Sequence, residues 1–457
     1  MTLINPFIFR EYDIRGKVVE DFPKHVVEKL GKAFGTYIKR SGGEEISLSG
    51  DIRPSTIDLM KNFKTGVLST GIDVIELGIL PTPVNYFSMF HLGVYGAVQI
   101  TGSHNPPEFN GFKMSINKKP FYGDDIQTLY KIIDKMDFEV GEGIETRYKI
   151  LPEYKKMIKE KINVEKPIKL VMDCGNASGA INGPEIFKEL GIELKELYCE
   201  IDGSFPNHHP DPTVEENLKD LIKEVKSGNY DLGIAFDGDA DRVGVVDETG
   251  EVIWADQLMA IFLPEIIKSK KEDILFDVKC SQALEDTIIK YGGNPVMWKT
   301  GHSLIKQKMT ELKCKFGGEM SGHIFFADDY FGYDDALYVA ARLVQLLSKT
   351  KKSLSDLKSK IPNYFSSPEV RLEVENDEKK FEITKKATQY FKDNYECITI
   401  DGVRIKFGEG WGLIRASNTQ PVIVCRFEAN SLQKKDKIMN LIFEKLSEFG
   451  NVNFNLH

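Results

Sequence analysis

Positive charge is in deficit in this chain: 60 lysines and arginines stand against 69 aspartates and glutamates, a net charge of −9 over 457 residues. Nucleic-acid binding normally shows a basic stripe or a recognisable module, and neither is found, which disfavours a phosphate-coated polymer as the main partner. Long apolar runs are missing too. A membrane span needs about 20 predominantly apolar residues, so no membrane partner is expected. The opening MTLINPFIFREYD lacks the basic and apolar regions of a secretory signal, which predicts a cytoplasmic setting. Cysteine is sparse as well. Cys174, Cys199, Cys280, Cys314, Cys397 and Cys425 lie far apart with no CxxC pair, which argues against a zinc ribbon, a redox pair or a disulfide framework and predicts buried packing residues.

What is present is ordinary globular material: 41% hydrophobic and 28% charged residues. At roughly 100–200 residues per domain the length predicts two to four domains. Short β-rich runs alternate with amphipathic stretches: a strand at 47–51, a helical pattern over 55–69, then strands at 73–77 and 95–101. The order recurs with strands at 168–174 and 231–237, and again at 273–279 and 295–299. From about residue 363 the pattern changes. Strands at 369–375, 396–407, 412–417 and 421–429 come close together, flanked by helical patterns at 378–392 and 431–449, which favours an antiparallel sheet with helices on one face. The expectation is three α/β domains at 1–148, 149–250 and 251–363, followed by an α+β domain at 364–457.

Four clusters carry chemistry. QITGSHNPPEFNGFKM delivers Ser103 into a Gly- and Pro-rich turn, where Gly102 would keep bulk away and Pro106 and Pro107 would stiffen the backbone. In DLGIAFDGDADRVGVVDETG, Asp237, Asp239 and Asp241 are an oxygen-rich set suited to a hard divalent cation, provided the chain curls so that three short carboxylates can share one ion. Arg242 could grip a phosphate beside it. An EF-hand would also begin D-x-D-x-D, but Arg242 stands where it needs Gly, and the flanks are β-rich rather than helical. An exposed acidic turn is the bland alternative.

The third cluster, WKTGHSLIK with GGEMSGHIFF, supplies Thr300, Gly301, His302, Glu319, Ser321 and His323, an inventory suited to reading sugar hydroxyls, though each histidine alone is also an ordinary loop residue. The fourth, GWGLIRASNTQP, offers Arg415, Ser417, Asn418 and Thr419 as a phosphate cradle or, equally, a polar turn capped by Pro421.

Together FREYDIRG, TGSHNPPEFNGFK, DGDADR, WKTGHS, GEMSGH and RASNTQP, in this order over nearly the whole chain, resemble the α-D-phosphohexomutase family, most closely its phosphomannomutase/phosphoglucomutase branch. The resemblance implies three related α/β domains and a final domain of different fold around a central cleft. It implies that Ser103 carries a phosphoryl group, that Asp237, Asp239 and Asp241 hold one Mg²⁺ with Ser103, and that Lys113, His104 and Arg242 serve the transfer. Glu319 and Ser321 would bind sugar hydroxyls. Arg415, Ser417, Asn418 and Thr419 would hold the phosphate not being transferred, with Tyr12, Arg15, Lys279 and His302 as further contacts. Some similar proteins carry Arg where Gln257 stands, so no role is carried onto it. GEMSGH favours the mannose/glucose branch over the glucosamine branch.

The implied reaction moves a phosphoryl group between the 1- and 6-positions of a hexose phosphate through phosphoserine and a hexose 1,6-bisphosphate. Lys113 could take the hydroxyl proton if its surroundings lower its pKa, and the final domain would close over substrate. No obligate protein partner is implied and a monomer suffices. The alternatives are a phosphoglucosamine mutase, a non-catalytic sugar-phosphate binding protein, and a metal-dependent phosphatase using Asp237 as nucleophile.

Overall fold

In the computed structural model, which describes residues 4–268, 271–417 and 422–454, the strands gather into four sheets. The first contains Ile14–Lys17 (β1), Glu45–Gly50 (β2), Asp73–Ile79 (β3), Gly96–Ile100 (β4), Phe109–Ile116 (β5), Lys119–Pro120 (β6) and Glu145–Arg147 (β7), in the order β1-β5-β4-β2-β3-β7 with β6 on β5. β2, β3, β4 and β7 are mutually parallel, and β5 turns back antiparallel against β4. The second contains Lys169–Asp173 (β8), Glu193–Leu197 (β9), Leu232–Phe236 (β10), Val243–Asp247 (β11) and Val252–Ile253 (β12), with β8, β9 and β10 parallel and β11 and β12 antiparallel additions. The third repeats that scheme in Asp273–Asp277 (β13), Asn294–Trp298 (β14), Phe316–Gly318 (β15) and Ile324–Phe326 (β16). Each sheet is mixed for one reason. A parallel core built by helical crossovers is followed by a strand that returns through a tight turn, and such a turn pairs strands antiparallel.

The fourth sheet is antiparallel throughout: Phe365–Ser366 (β17), Val370–Glu373 (β18), Cys397–Ile398 (β19), Val403–Lys406 (β20), Gly410–Ala416 (β21) and Val422–Ala429 (β22). Helices Asp377–Asn394 and Leu432–Phe449 cover it, burying Ile383, Ala387, Phe391, Ile438, Ile442 and Leu446 against Val403, Ile405, Ile414, Ile423 and Phe427. The run at 396–407, expected as one strand, is a hairpin. Gly402 takes a left-handed φ of +70° in the Asp401–Gly402 turn, and β19 folds back onto β20.

The periodic segment at 55–69 folds as the helix Thr56–Leu68, placing Leu59, Met60, Phe63 and Val67 in the core of the first sheet. The continuous apolar run of β10 is buried at every residue, as a strand covered on both faces should be. A larger core runs without interruption from the helix Thr82–His91 through β8, β10 and the helix Ala255–Ile266 to the helix Ala336–Ser348. The first three sheets are therefore packed into one frame. The fourth sheet has its own core and meets the frame through a small apolar patch around Val278, Trp411 and Leu413. Buried cations stitch that boundary. Arg404 stacks 3.6 Å over the Trp411 ring and donates to the carbonyls of Val278 and Cys280 at 2.7 and 2.8 Å, and Arg426 donates to the Lys279 carbonyl. Among the described residues no helix is long and apolar enough to cross a membrane.

Candidate active site

β4 ends at Ile100, and the chain turns at Ser103 with φ +48°, a left-handed conformation costly for a residue bearing a Cβ. The turn is held from beneath by Arg53. Its buried guanidinium donates to the carbonyls of Ser103 (2.8 Å), Asn105 (2.5 Å), Pro106 (2.6 Å) and Phe109 (3.0 Å), and Asp51 anchors it at 3.1 Å. Gly102 makes room for this arginine: a Cβ there would lie 2.5 Å from the guanidinium. The glycine thus clears space for the clamp beneath the loop, where the sequence suggested space for the serine itself. Thr101 Oγ1 accepts from the Ser103 N–H at 2.8 Å.

The curl required of DGDADR is present. Between β10 and β11 the chain doubles back, Ala240 adopts φ +58°, and Asp237 Oδ1 accepts the N–H groups of Asp241 and Arg242, each at 3.1 Å. Asp237, Asp239 and Asp241 are all fully buried and each offers an oxygen within 4.8 Å of the others. Burial excludes the exposed acidic turn, and flanking strands exclude the EF-hand. Ser103 Oγ donates to Asp237 Oδ2 at 2.9 Å, so the serine of the first sheet faces the carboxylates of the second. The backbones touch as well, since a Cβ on Gly238 would sit 2.1 Å from the Ser103 carbonyl oxygen.

Three buried carboxylates are electrostatically expensive. Burial, then Asp239 and Asp241, pushes the Asp237 carboxyl well above its usual range. Burial raises Asp239 too, but Lys113 outweighs it: Nζ donates to Asp239 Oδ2 at 2.7 Å and also to Asp241 Oδ2. Burial lowers the Lys113 ammonium, yet the aspartates more than compensate and hold it above the ordinary lysine value. Among the chain's own groups, Lys113 is the positive partner of Asp239 and Asp241. His104 differs. Burial and then Arg242, Arg15 and Lys113 keep it neutral, with Nδ1 3.3 Å from Ser103 Oγ.

The residues fit a hard divalent cation. Oδ1 of Asp239 and Oδ1 of Asp241 are buried without a hydrogen-bond partner, and the donors are all oxygens. Asp241, His323 and Asp334 make an adjoining group within the same distance limit.

The third sheet brings its loops to the same place. His323 stacks on His302 with centroids 5.2 Å apart, and Arg242 Nε donates to His323 Nε2 at 2.9 Å. Burial, followed by Lys306, lowers His302 to about 4. Glu319 Oε1 accepts from Gly301 N at 2.5 Å, and burial raises its carboxyl. Thr300 Oγ1 donates to Asp277 at 2.9 Å, and its carbonyl receives Tyr12 from the first sheet at 2.5 Å. Ser321 lies nearby on the partly exposed turn before β16. From the fourth sheet, Arg415 Nε pairs with Asp401 at 3.0 Å, Asp401 also accepts the Thr300 N–H at 3.1 Å, and Lys279 meets Glu369 at 3.1 Å. Arg15 donates to Asp13 at 2.5 Å and to Asn105 at 3.4 Å. Ser417 ends β21, its N–H on the Val422 carbonyl at 3.0 Å, while Asn418 and Thr419 lie outside the described residues. Gln257, given no role, caps its helix by accepting the Trp254 N–H at 3.1 Å.

Sequence reading missed Arg53, Thr82 and Asp334. Thr82 Oγ1 donates to Asp239 at 2.5 Å, and Asp334 is fully buried 3.0 Å from His323, 3.4 Å from His302 and 2.8 Å from Lys306. For Arg53 a signal exists: an Asp-x-Arg-Pro right after a strand, with arginine in an otherwise buried register. His208 and His209 also gain partners. His209 Nε2 meets the His104 carbonyl, and His208 Nε2 meets Asp173 at 3.0 and 3.1 Å.

Family models match most of the chain. Those described as phosphoglucomutase/phosphomannomutase alpha/beta/alpha domains I, II and III match residues 6–140, 152–250 and 254–365, and the C-terminal domain matches 369–445. A phosphomannomutase/phosphoglucomutase of Pseudomonas aeruginosa is 43% identical over 442 residues, 96% of this chain and 95% of that one. A Neisseria gonorrhoeae phosphoglucomutase is 38% identical over 445 residues, 96% of each. The crystal structure of a phosphoglucomutase/phosphomannomutase family protein from Burkholderia thailandensis superposes with a TM-score of 0.92 at 39% identity, covering 99% of this chain and 100% of that one.

Proposed function

The chain belongs to the phosphoglucomutase/phosphomannomutase family, and from that premise we propose that it moves a phosphoryl group between the 1- and 6-positions of glucose and mannose phosphates by way of a phosphoserine at Ser103. The observation that carries the reading is the 2.9 Å contact between Ser103 Oγ and Asp237, made between two sheets. Phosphoserine at Ser103 gives its phosphoryl group to the free hydroxyl of a hexose 1- or 6-phosphate, and the resulting hexose 1,6-bisphosphate turns over and returns its other phosphate to Ser103.

Asp237, Asp239, Asp241 and the Ser103 oxygen would hold one Mg²⁺, which when bound spreads the charge that develops on the transferring oxygens. Lys113 and Arg242 add positive charge beside the transferring group. Neutral His104 takes the proton from the attacking hydroxyl, the sugar's in the first transfer and Ser103's in the second, and gives it to the oxygen that loses its phosphoryl group. Glu319, Ser321, His323 and Gly301 read sugar hydroxyls, while Arg415, Ser417, Asn418, Thr419, Lys279, Thr300, His302, Tyr12 and Arg15 frame the non-reacting phosphate. We divide these roles among units at 1–148, 149–250, 251–363 and 364–457. The enzyme needs no protein partner, works as a monomer, and sits in the cytoplasm with its phosphorylated substrates.

A phosphatase reading fares worse, because Asp237, its nucleophile, accepts three hydrogen bonds. Relatives at 38–43% identity are named for glucose and mannose substrates rather than glucosamine. Intact mass before and after glucose 1,6-bisphosphate tests the reading. A species one phosphate heavier, abolished by Ser103→Ala, is expected; turnover by a serine that stays unmodified throughout sinks it.

A further inference from the structure

Two cysteines separated by 25 positions meet in the second sheet. β8 and β9 run parallel, Asp173 stands beside Leu197 in register, and Cys174 and Cys199 continue past the strand ends with their Sγ atoms 3.3 Å apart. Cys174 is fully buried and Cys199 is partly exposed. The pair joins two loops that reach the active site. From the Cys174 side, Ser178 N–H donates to the Gly238 carbonyl at 3.2 Å, and Gly238 packs on Ser103. From the Cys199 side, Asn176 Nδ2 bonds the Glu200 carbonyl at 2.8 Å and Asn207 bonds Asn176 at 2.7 Å, leading to His209 on the His104 carbonyl.

We propose that Cys174 and Cys199 are a reversible thiol–disulfide site, oxidised by small disulfides, that couples redox state to the seating of the catalytic loops. Cys199, the thiol that solvent reaches, attacks a sulfur of a low-molecular-weight disulfide RSSR. One RSH leaves and a mixed disulfide remains. Cys174 then attacks Cys199 Sγ and expels the second RSH, so both electrons and both protons of the two thiols end on two RSH and one new S–S bond remains. The sulfurs must close to about 2.05 Å, a shift of roughly 1.2 Å that draws the two loops together. Intracellular disulfides of this kind are commonly redox-sensing rather than structural.

The test treats the full chain with oxidised glutathione, counts thiols in denaturant, maps peptides without reduction and assays mutase turnover. Thiol loss and cross-linking do not depend on the proposed reaction, so failure here is distinguishable from failure of the functional reading. The expected result is a fall from six thiols to four, a peptide joining Cys174 to Cys199, and a drop in kcat of roughly tenfold, within what an ångström-scale misplacement costs, restored by dithiothreitol. Cys199→Ser should keep reduced activity and lose the response. A stable glutathione adduct without cross-link, a cross-link between other cysteines, or an oxidised pair with unchanged kcat overturns the proposal.

Discussion

Replacing Gly238 by alanine should cripple catalysis while leaving substrate binding intact. Gly238 is not among the residues with left-handed φ, so alanine is compatible with its backbone and the only obstacle is external. An added Cβ would lie 2.1 Å from the Ser103 carbonyl oxygen and 3.0 Å from its carbon. Reaching ordinary contact at 3.4 Å requires a separation of about 1.3 Å between two backbones, neither of which can rotate away as a side chain would. That separation falls between Ser103 and the carboxylates opposite it. A misplacement of this size costs on the order of 100-fold in rate, or about 2.7 kcal/mol of transition-state stabilisation. Forced packing should also remove about 1–3 kcal/mol of stability. The assay is conversion of glucose 1-phosphate to glucose 6-phosphate at saturating Mg²⁺, with thermal unfolding in parallel. KM should change little, because none of the residues proposed to hold the resting phosphate touches the Gly238–Ser103 contact. A folded variant whose kcat stays within about threefold of the parent, under 1 kcal/mol, would refute the claim that contact between these loops sets the reaction geometry.

Arg53→Lys keeps the charge but loses most of the donors that hold four loop carbonyls, at about 1.5–3 kcal/mol for each charged hydrogen bond lost; the Ser103 loop should become susceptible to protease and kcat should fall, and unchanged cleavage would count against the clamp. Mg²⁺ should raise the melting temperature of the parent, by about 2.7 kcal/mol of stabilisation at 100 times its dissociation constant, and Asp239→Asn should abolish the shift; an equal shift in both would place the ion elsewhere. Burial lowers His208, but Asp173 more than offsets this and raises it above its usual value. A raised value contributes stability that is complete below about pH 6.5 and is lost as pH rises through the folded pKa. His208→Asn should therefore flatten the melting temperature against pH above 6.5, and a slope identical to the parent's would remove His208 as its source.

Much of the architecture was legible because it is written in local periodicity. The apolar runs at 231–237 and 273–279 became buried parallel strands, and the 3.6-residue pattern at 55–69 became a helix. β5 was not legible as a returning antiparallel strand, since its start is hidden behind the Pro-rich turn of the serine loop. The hairpin at 396–407 was taken for one strand although Asp401–Gly402 is a strong turn signal, because β-formers flank it on both sides. At the site, each cluster announced its chemistry through its own residues. What connects the clusters did not. Lys113 with Asp239, Tyr12 with Thr300, Arg242 with His323 and Cys174 with Cys199 are contacts between segments distant in sequence, fixed by how the sheets pack. Lys113 shows the cost of that blindness: nothing in its own segment announces that its ammonium meets two buried carboxylates of the second sheet.

The meeting of Ser103 with Gly238 has one more consequence. In the proposed reaction the serine that would store the phosphate and the carboxylates that would make it transferable stand on different sheets, so neither could act while the two are apart. A molecule that has lost this docking, through heat, damage or incomplete synthesis, would retain its serine but lack the surroundings that the proposed transfer needs. Reactivity and integrity would then fail together, and a broken copy would be a silent one rather than a leak.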